Sequence, residues 1–323
     1  MLTPYLLALL AVLLAWPVPM WLQRAKWPSR APGATSVLWQ AIGLSGGLAL
    51  VSAPLTWGLQ PFGSGILTAG SKLLQVLLSD GIAGVFNDPR WEPLGLAAVT
   101  LSGILFGHLT LVLLHTTFTT FRQRKKHREF VELLSASLQE HDHGLDQTSQ
   151  TANNTRVLPV EHPLAYCLPA AQQSITVVSR GLLNQLSAEQ LSAVLTHESA
   201  HLTQRHDLLR LVFQAWHKAV PWFPATSVAV DEVTELTEIM ADDVALTQHQ
   251  TRDLTSALAH TLEQQAQDTG QQMAPHHQHP AQVASRRLRR LIGPRRPLGS
   301  CRVSLVIILS GLLVIGPAFI SLV

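Results

Sequence analysis

Cysteine is scarce in this chain of 323 residues: there are two, Cys167 and Cys301, far apart and in no CxxC pair. That excludes a disulfide framework and a sulfur-ligated zinc site and leaves both as ordinary thiols. Charge is scarce too, at 14% of residues against 47% hydrophobic, where soluble domains carry about 25% charged. Part of the chain must therefore lie in lipid. The net charge of +2 hides strong segregation, because the arginines and lysines crowd into short runs beside long apolar stretches. Their placement carries more information than their sum.

A bilayer core takes about 20 mostly apolar residues per helix, and four stretches qualify: residues 2–21, 37–59, 94–121 and 303–323. The first has no basic flank or small-residue cleavage site, which favours a span over a removable signal peptide. Phe130, Val131, Leu133, Leu134 and Leu138 continue an apolar stripe beyond the third, so that helix is expected to run on into the polar region. Residues 66–86 are apolar but interrupted by Lys72, Asp80 and three glycines, the pattern of an interfacial helix rather than a fifth span.

Basic residues near span ends stay in the cytoplasm. Arg24, Lys26 and Arg30 precede the second span, Arg122 to Arg128 follow the third, and Arg286 to Arg302 precede the fourth. The expected organisation is a membrane region 1–121, a cytoplasmic domain 122–302 and a last helix 303–323, with both termini outside a plasma membrane. Beside a span, the arginine run 286–296 reads as topology retention and attraction to anionic lipid, so no direct nucleic-acid binding is expected.

Inside spans two and three, Gly43/Gly47 and Gly103/Gly107 have the GxxxG spacing that allows close helix approach, or are simply the glycine common in membrane helices. His108 and His115 lie within span three, where a hydrogen bond to a neighbouring helix is expected. In the cytoplasmic domain, 155–168 and 174–179 read as strands of a hairpin. Ser187 and Gln190 form a capping box opening a helix whose apolar face is Leu191, Val194, Leu195 and Leu202. Residues 264–282, rich in Gln, His and Pro, read as a loop; its His276, His277 and His279 are either polar or metal-binding. Trp216, Trp222 and Phe223 with Val220 suit either a membrane surface or buried packing.

Residues 197–201 read HESAH, which sets His197 and His201 four apart on one helical face with their imidazoles converging. Catalytic zinc takes three protein ligands and leaves a fourth position open. The run TEIMADD supplies Glu238 as third ligand and Asp242, four residues on, as the acid that orients a ligand imidazole; Glu235 is the rival ligand, without an acidic partner at that spacing. Glu198 is the expected general base, taking the proton of the attacking water and passing it to the leaving amine.

With those residues in place the chain resembles the BlaR/MecR family of transmembrane zinc peptidases and, more distantly, the HtpX and CAAX-prenyl-peptidase group. The likeness rests on HPLAYCLP, SITVVSRGLLNQLS, VLTHESAHLTQRHDLL and EIMADD. It implies a mainly α membrane protein, with four transmembrane helices and a cytoplasmic α+β, gluzincin-like HExxH domain. It also implies a zinc endopeptidase acting on a protein or peptide, the usual partner being a BlaI-like repressor. The strand 174–179 resembles that family's edge strand, to which a substrate would add. Sensor members continue into a penicillin-binding domain, whereas this chain stops at Val323, so recognition of a β-lactam by that route is not expected. The related group has His-Pro followed by an arginine; His279 and Pro280 match, giving His279 a substrate or transition-state role, but Arg286 or Arg287 is shifted by at least one position. General membrane quality control is the competing function, and a non-catalytic scaffold the competing class.

Overall fold

The computed structural model describes residues 2–63, 65–141, 155–168, 174–269, 279–294 and 297–322, the side chains of 134–141, 261–269 and 279–282 excepted. Its helices are α1 (Thr3–Ala15), α2 (Pro17–Arg24), α3 (Pro32–Gly58), α4 (Ile66–Phe86), α5 (Pro93–His141), α6 (Arg180–Gln185), α7 (Ala188–Thr203), α8 (His206–Ala219), α9 (Pro224–Gln248), α10 (Thr251–Thr269), α11 (His279–Ile292) and α12 (Ser300–Leu322). Its strands are β1 (Thr155–Leu158), β2 (Ala165–Leu168) and β3 (Ile175–Ser179). The chain forms two compact units: Met1–His115, Val212–Val233 and Leu298–Val323 make one, and Thr116–Leu211 with Thr234–Pro297 the other.

The first unit is built on α3. Leu7 of α1 packs against Ala49 and Ala53 with Ile320 of α12, Ser45 Oγ donates to the Leu313 carbonyl at 2.6 Å, and Ser102 Oγ to that of Val51 at 2.7 Å. The backbones of α3 and α5 meet at Gly58, where a Cβ would strike the Gly95 carbonyl. Outward-facing Leu9, Phe106, Leu111, Ile308 and Leu309 are exposed, the inverse of a water-soluble surface and the arrangement lipid requires. Among the described residues, five helical stretches are long and apolar enough to cross a membrane: Thr3–Arg24, Pro32–Gly58, Ile66–Phe86, Pro93–Leu133 and Ser300–Leu322.

The first of these breaks at Trp16 (φ −136°, ψ −75°), because Pro17 lacks an N–H and disfavours helical geometry in the residue before it. In α4, Gly81 adopts φ 71°, ψ −169° and kinks the helix, a conformation open to glycine alone at little cost. The GxxxG glycines do not serve helix approach: among the described residues nothing lies within 4 Å of a Cβ built at Gly47, Gly103 or Gly107, and Gly43 receives the Trp216 ring instead. His108 does find its neighbouring helix, with Nε2 2.9 Å from the carbonyl of Ala219.

In the second unit the strands order β1-β3-β2, with β1 parallel and β2 antiparallel to β3. The hairpin reading holds for β2 and β3, but 155–168 divides into two strands, and the segment expected at the edge, 174–179, contains the central strand. Its composition explains this: Ile175, Val177, Val178 and Ser179 are all buried, which a strand covered on both sides requires. One face, with Leu158, Leu168, Ile175 and Val177, packs on Val131 of α5. After β3, Ser179 Oγ accepts from Leu182 N at 3.2 Å and caps α6. Gly181 passes so close to the backbone of Glu161 that any Cβ would collide.

The expected capping box of α7 is present: Ser187 N donates to Gln190 Oε1 at 2.9 Å and Gln190 N to Ser187 Oγ at 3.3 Å. The residues α7 buries are Ala193, His197 and Ala200, while Leu191, Val194, Leu195 and Leu202 are half-buried. Small side chains on that stripe let Ala193 sit against Ala245 of α9, Leu254 of α10 and Leu291 of α11, bringing the motif helix close to the acidic helix. The loop expected over 264–282 is shorter at both ends, since α10 runs to Thr269 and α11 begins at His279.

Candidate metal centre

The buried stripe of α7 delivers His197 and, one turn on, His201; their Nε2 atoms face each other at 3.2 Å. Helix α9 brings Glu238 to the same point, with Oε2 3.4 Å from Nε2 of His197 and Oε1 3.5 Å from Nε2 of His201. Ligands held about 2.0–2.1 Å from a tetrahedral zinc lie roughly 3.3 Å from one another; the two Nε2 atoms have that spacing, and the Glu238 carboxylate sets one oxygen near that distance from each of them. Two imidazole nitrogens so close repel unless a cation or proton lies between them. Among the described residues these three form the group able to hold a metal ion. Glu235 is not with them: it pairs with Arg286 at 2.9 Å.

Asp242, one turn after Glu238 and buried, places Oδ1 3.0 Å from Nδ1 of His197, though off the line of a hydrogen bond. Its two oxygens accept a bidentate pair from Arg287 Nε and Nη2 at 2.8 and 2.7 Å. The third guanidinium nitrogen, Nη1, donates to Glu238 Oε2 at 2.7 Å. Arg210 of α8 donates to the other oxygen, Oε1, at 2.7 Å. Each Glu238 oxygen thus accepts from a different arginine. Of the two arginines after Pro280, it is Arg287 that reaches the site, while Arg286 turns to Glu235.

His206, which the sequence reading did not single out, is 1% exposed. Its Nδ1 lies 2.9 Å from Nδ1 of His201 and its Nε2 2.9 Å from Gln204 Oε1. Arg205 has φ 52° and separates α7 from α8, so helical periodicity could not carry the phase of the HExxH motif on to His206. Arg287 was masked by the basic run around it. A usable signal was the matched pattern: Asp242 and Asp243 on α9 meet Arg287 and Arg290 on α11, with Arg290 Nη1 2.7 Å from Asp243.

Burial would push Glu238 up, but His197 and Arg287 hold it well below the usual carboxylate range. Asp242 is lowered in the same way, Arg287 and His197 overcoming its burial. Burial lowers His201 to about 3 and His206 to about 4, which keeps both neutral. His197 is pulled down by burial but raised on balance to about 9 by Asp242 and Glu238. Glu198 is raised to about 7, chiefly by burial. A carboxyl with its pKa near neutrality can both take and return a proton at physiological pH.

His279 opens α11, but its side chain lies outside the described residues, as do His276 and His277 altogether. Cys167 is partly buried on β2, with Sγ 3.3 Å from Thr176 Oγ1. Burial first, then the charge of Glu198, pushes its thiol up, so it has the character of a structural thiol rather than a nucleophile.

Two histidines four apart, a carboxylate from a second helix and a partly buried glutamate beside them make up what a zinc metallopeptidase needs. The profile of peptidase family M48 matches residues 134–295, half of the chain, and the protein belongs to that family of zinc-dependent metallopeptidases. No curated protein and no solved structure matches the chain.

Proposed function

We propose that the protein is a membrane-embedded zinc endopeptidase in which His197, His201 and Glu238 hold the metal and Glu198 is the general base. The observation that carries this is the convergence of the three side chains: the two Nε2 atoms lie 3.2 Å apart, and the Glu238 carboxylate sets one oxygen 3.4 Å from that of His197 and the other 3.5 Å from that of His201. Zinc bound there would polarise a peptide carbonyl and acidify the attacking water. Glu198 takes that water's proton and delivers it to the departing amine. Asp242 orients His197, His206 orients His201, and Arg210 with Arg287 keeps Glu238 ionised and fixed in place.

An extended substrate segment would add to β2 rather than to the central β3. Ser179 N donates to the Leu164 carbonyl, so by antiparallel alternation Tyr166 and Leu168 bond to β3. Ala165 and Cys167 then turn their backbone groups to the open edge. Among the described residues no strand pairs there.

The finer reading is a peptidase of BlaR/MecR type whose catalytic unit faces the cytoplasm and cuts a soluble protein such as a BlaI-like repressor. Its supports are the basic runs flanking 122–302 and the shared motifs of α7 and α9. Expression of wild-type and Glu198→Gln forms with the repressor tests it. Loss of full-length repressor only with the wild type is expected. Equal persistence in both, with misfolded membrane proteins accumulating in the variant, would replace signalling by quality control.

A further inference from the structure

Residues Val212–Val233, the end of α8, a turn and the start of α9, belong to the same compact unit as the apolar helices, and their depth among those helices can be read from contacts. Gly58 meets Gly95 and Val51 meets Ser102, so seven residues along α3 match seven back along α5. Six residues further in the same register set Ser45 beside His108. Ser45 also bonds to Leu313. Ser45 is the middle of α3, which spans Pro32–Gly58, about 20 Å from either end at 1.5 Å per residue. Leu313 lies at the same distance from the start of α12, which spans Ser300–Leu322. At this level Trp216 lays its ring over Gly43 and Gly46, and His108 donates to the Ala219 carbonyl.

The turn itself is built for a place without water. Pro221 and Pro224 bring no N–H. Val220 N donates to Trp216 O at 3.0 Å, Phe223 N to Val220 O at 3.1 Å and Thr226 N to Phe223 O at 3.0 Å. Thr226 Oγ1 also reaches the carbonyls of Val220 and Phe223, at 3.2 and 2.8 Å, and His217 Nδ1 at 3.0 Å. Irregular backbone at membrane depth is tolerated where it packs in protein or lines water, and these bonds satisfy polar groups on both sides of the turn. At the tip the Trp222 side chain stands out, 68% exposed. Gln214 and Lys218 are also exposed, on α8, and at mid-depth a lysine requires water on its face.

We infer that Val212–Val233 is a re-entrant hairpin that turns at the middle of the bilayer, with Trp222 against lipid acyl chains and the Gln214–Lys218 face on a water-filled cleft. The inference rests on the reading of α3, α5 and α12 as spans, and the test separates the two. The full chain, with Cys167→Ser and Cys301→Ser, is reconstituted in phosphatidylcholine–phosphatidylglycerol vesicles. Single nitroxide labels are placed at Trp222→Cys, Lys218→Cys, Leu309→Cys and Arg252→Cys, and zinc retention reports folding.

Relaxation by oxygen should exceed that by a water-soluble nickel chelate at positions 222 and 309, and the reverse should hold at 218 and 252. Pro221→Cys, exposed in the same turn, repeats the measurement if the tryptophan is needed for folding. Nickel access at 222 with lipid access at 309 would overturn the hairpin alone, as would access by neither reagent at 222. Nickel access at 309 would overturn the spanning reading and the hairpin with it.

Discussion

Nδ1 of His201 and Nδ1 of His206 stand 2.9 Å apart, so one of these nitrogens carries a proton and the other accepts it. Gln204 Oε1 settles which. It lies 2.9 Å from His206 Nε2, and an amide oxygen only accepts, so the proton of His206 is on Nε2 and its Nδ1 is a lone pair. His201 therefore donates from Nδ1 and keeps the Nε2 lone pair for the metal point. His206→Ala should weaken zinc binding about 10- to 100-fold, the usual effect of losing such an outer partner. His206→Asn, which restores an acceptor, should recover most of it. Competition with a chromophoric chelator gives the affinity, and an unchanged value in His206→Ala would show that packing alone orients His201.

The ligand and base assignments separate cleanly in a second experiment. Glu238→Ala should lose zinc, whereas Glu235→Ala should keep it, because Glu235 is engaged by Arg286. Glu198→Gln should bind zinc fully and lose turnover by roughly 10²- to 10⁴-fold, the range of a general base. Metal analysis and cleavage of a denatured protein substrate supply the two readouts. Full zinc in the Glu238→Ala protein would move the third ligand elsewhere.

The meeting of His197, His201 and Glu238 was legible in sequence because helical spacing sets His197 and His201 on one face, and Glu238 and Asp242 on another. The elements that support them were less so. A left-handed residue, Arg205, interrupts the phase before His206. Arg287 and Arg210 lie far from Glu238 along the chain, and nothing local marks which arginine of a basic run will turn inward. The order of the strands also escaped, since β-branched composition shows burial of 174–179 but a central strand and a covered edge read alike. The place of Trp216 depended on α3 offering it glycines, a relation between segments far apart in sequence.

Zinc binding should release a proton from the metal-free protein. His197 is held at about 9 by Asp242 and Glu238, so at pH 7 it is protonated, and the metal must displace that proton. Affinity should therefore rise with pH up to about 9. The sign for stability of the metal-free form is opposite. A histidine whose pKa is raised on folding stabilises fully below its ordinary value of 6.5, and that contribution fades as pH rises through about 9. Calorimetry at pH 7 in buffers of different ionisation enthalpy measures the released proton. Heats independent of buffer would mean His197 is already neutral.

Arg287 and Arg290 lie on one helix and each forms a bidentate pair, with Asp242 and Asp243 respectively, yet their removal should have unequal effects. The side chains of Arg287 and Asp242 are 12% and 2% exposed, those of Arg290 and Asp243 22% and 37%. Arg287→Ala would leave the buried Asp242 without its guanidinium and Glu238 with Arg210 alone, and breaking a buried pair from one side costs about 3–5 kcal/mol. Arg290→Ala leaves a carboxylate that water can reach, and such pairs contribute roughly 0–1 kcal/mol. Thermal unfolding of the metal-free protein in detergent should show a large loss for the first and a small one for the second. Asp242→Asn combined with Arg287→Ala should lose much less than the two single losses together, because each partner's absence removes the other's penalty. Equal losses for Arg287→Ala and Arg290→Ala, or additivity in the double variant, would show that Arg287 packs against α9 without holding its charges.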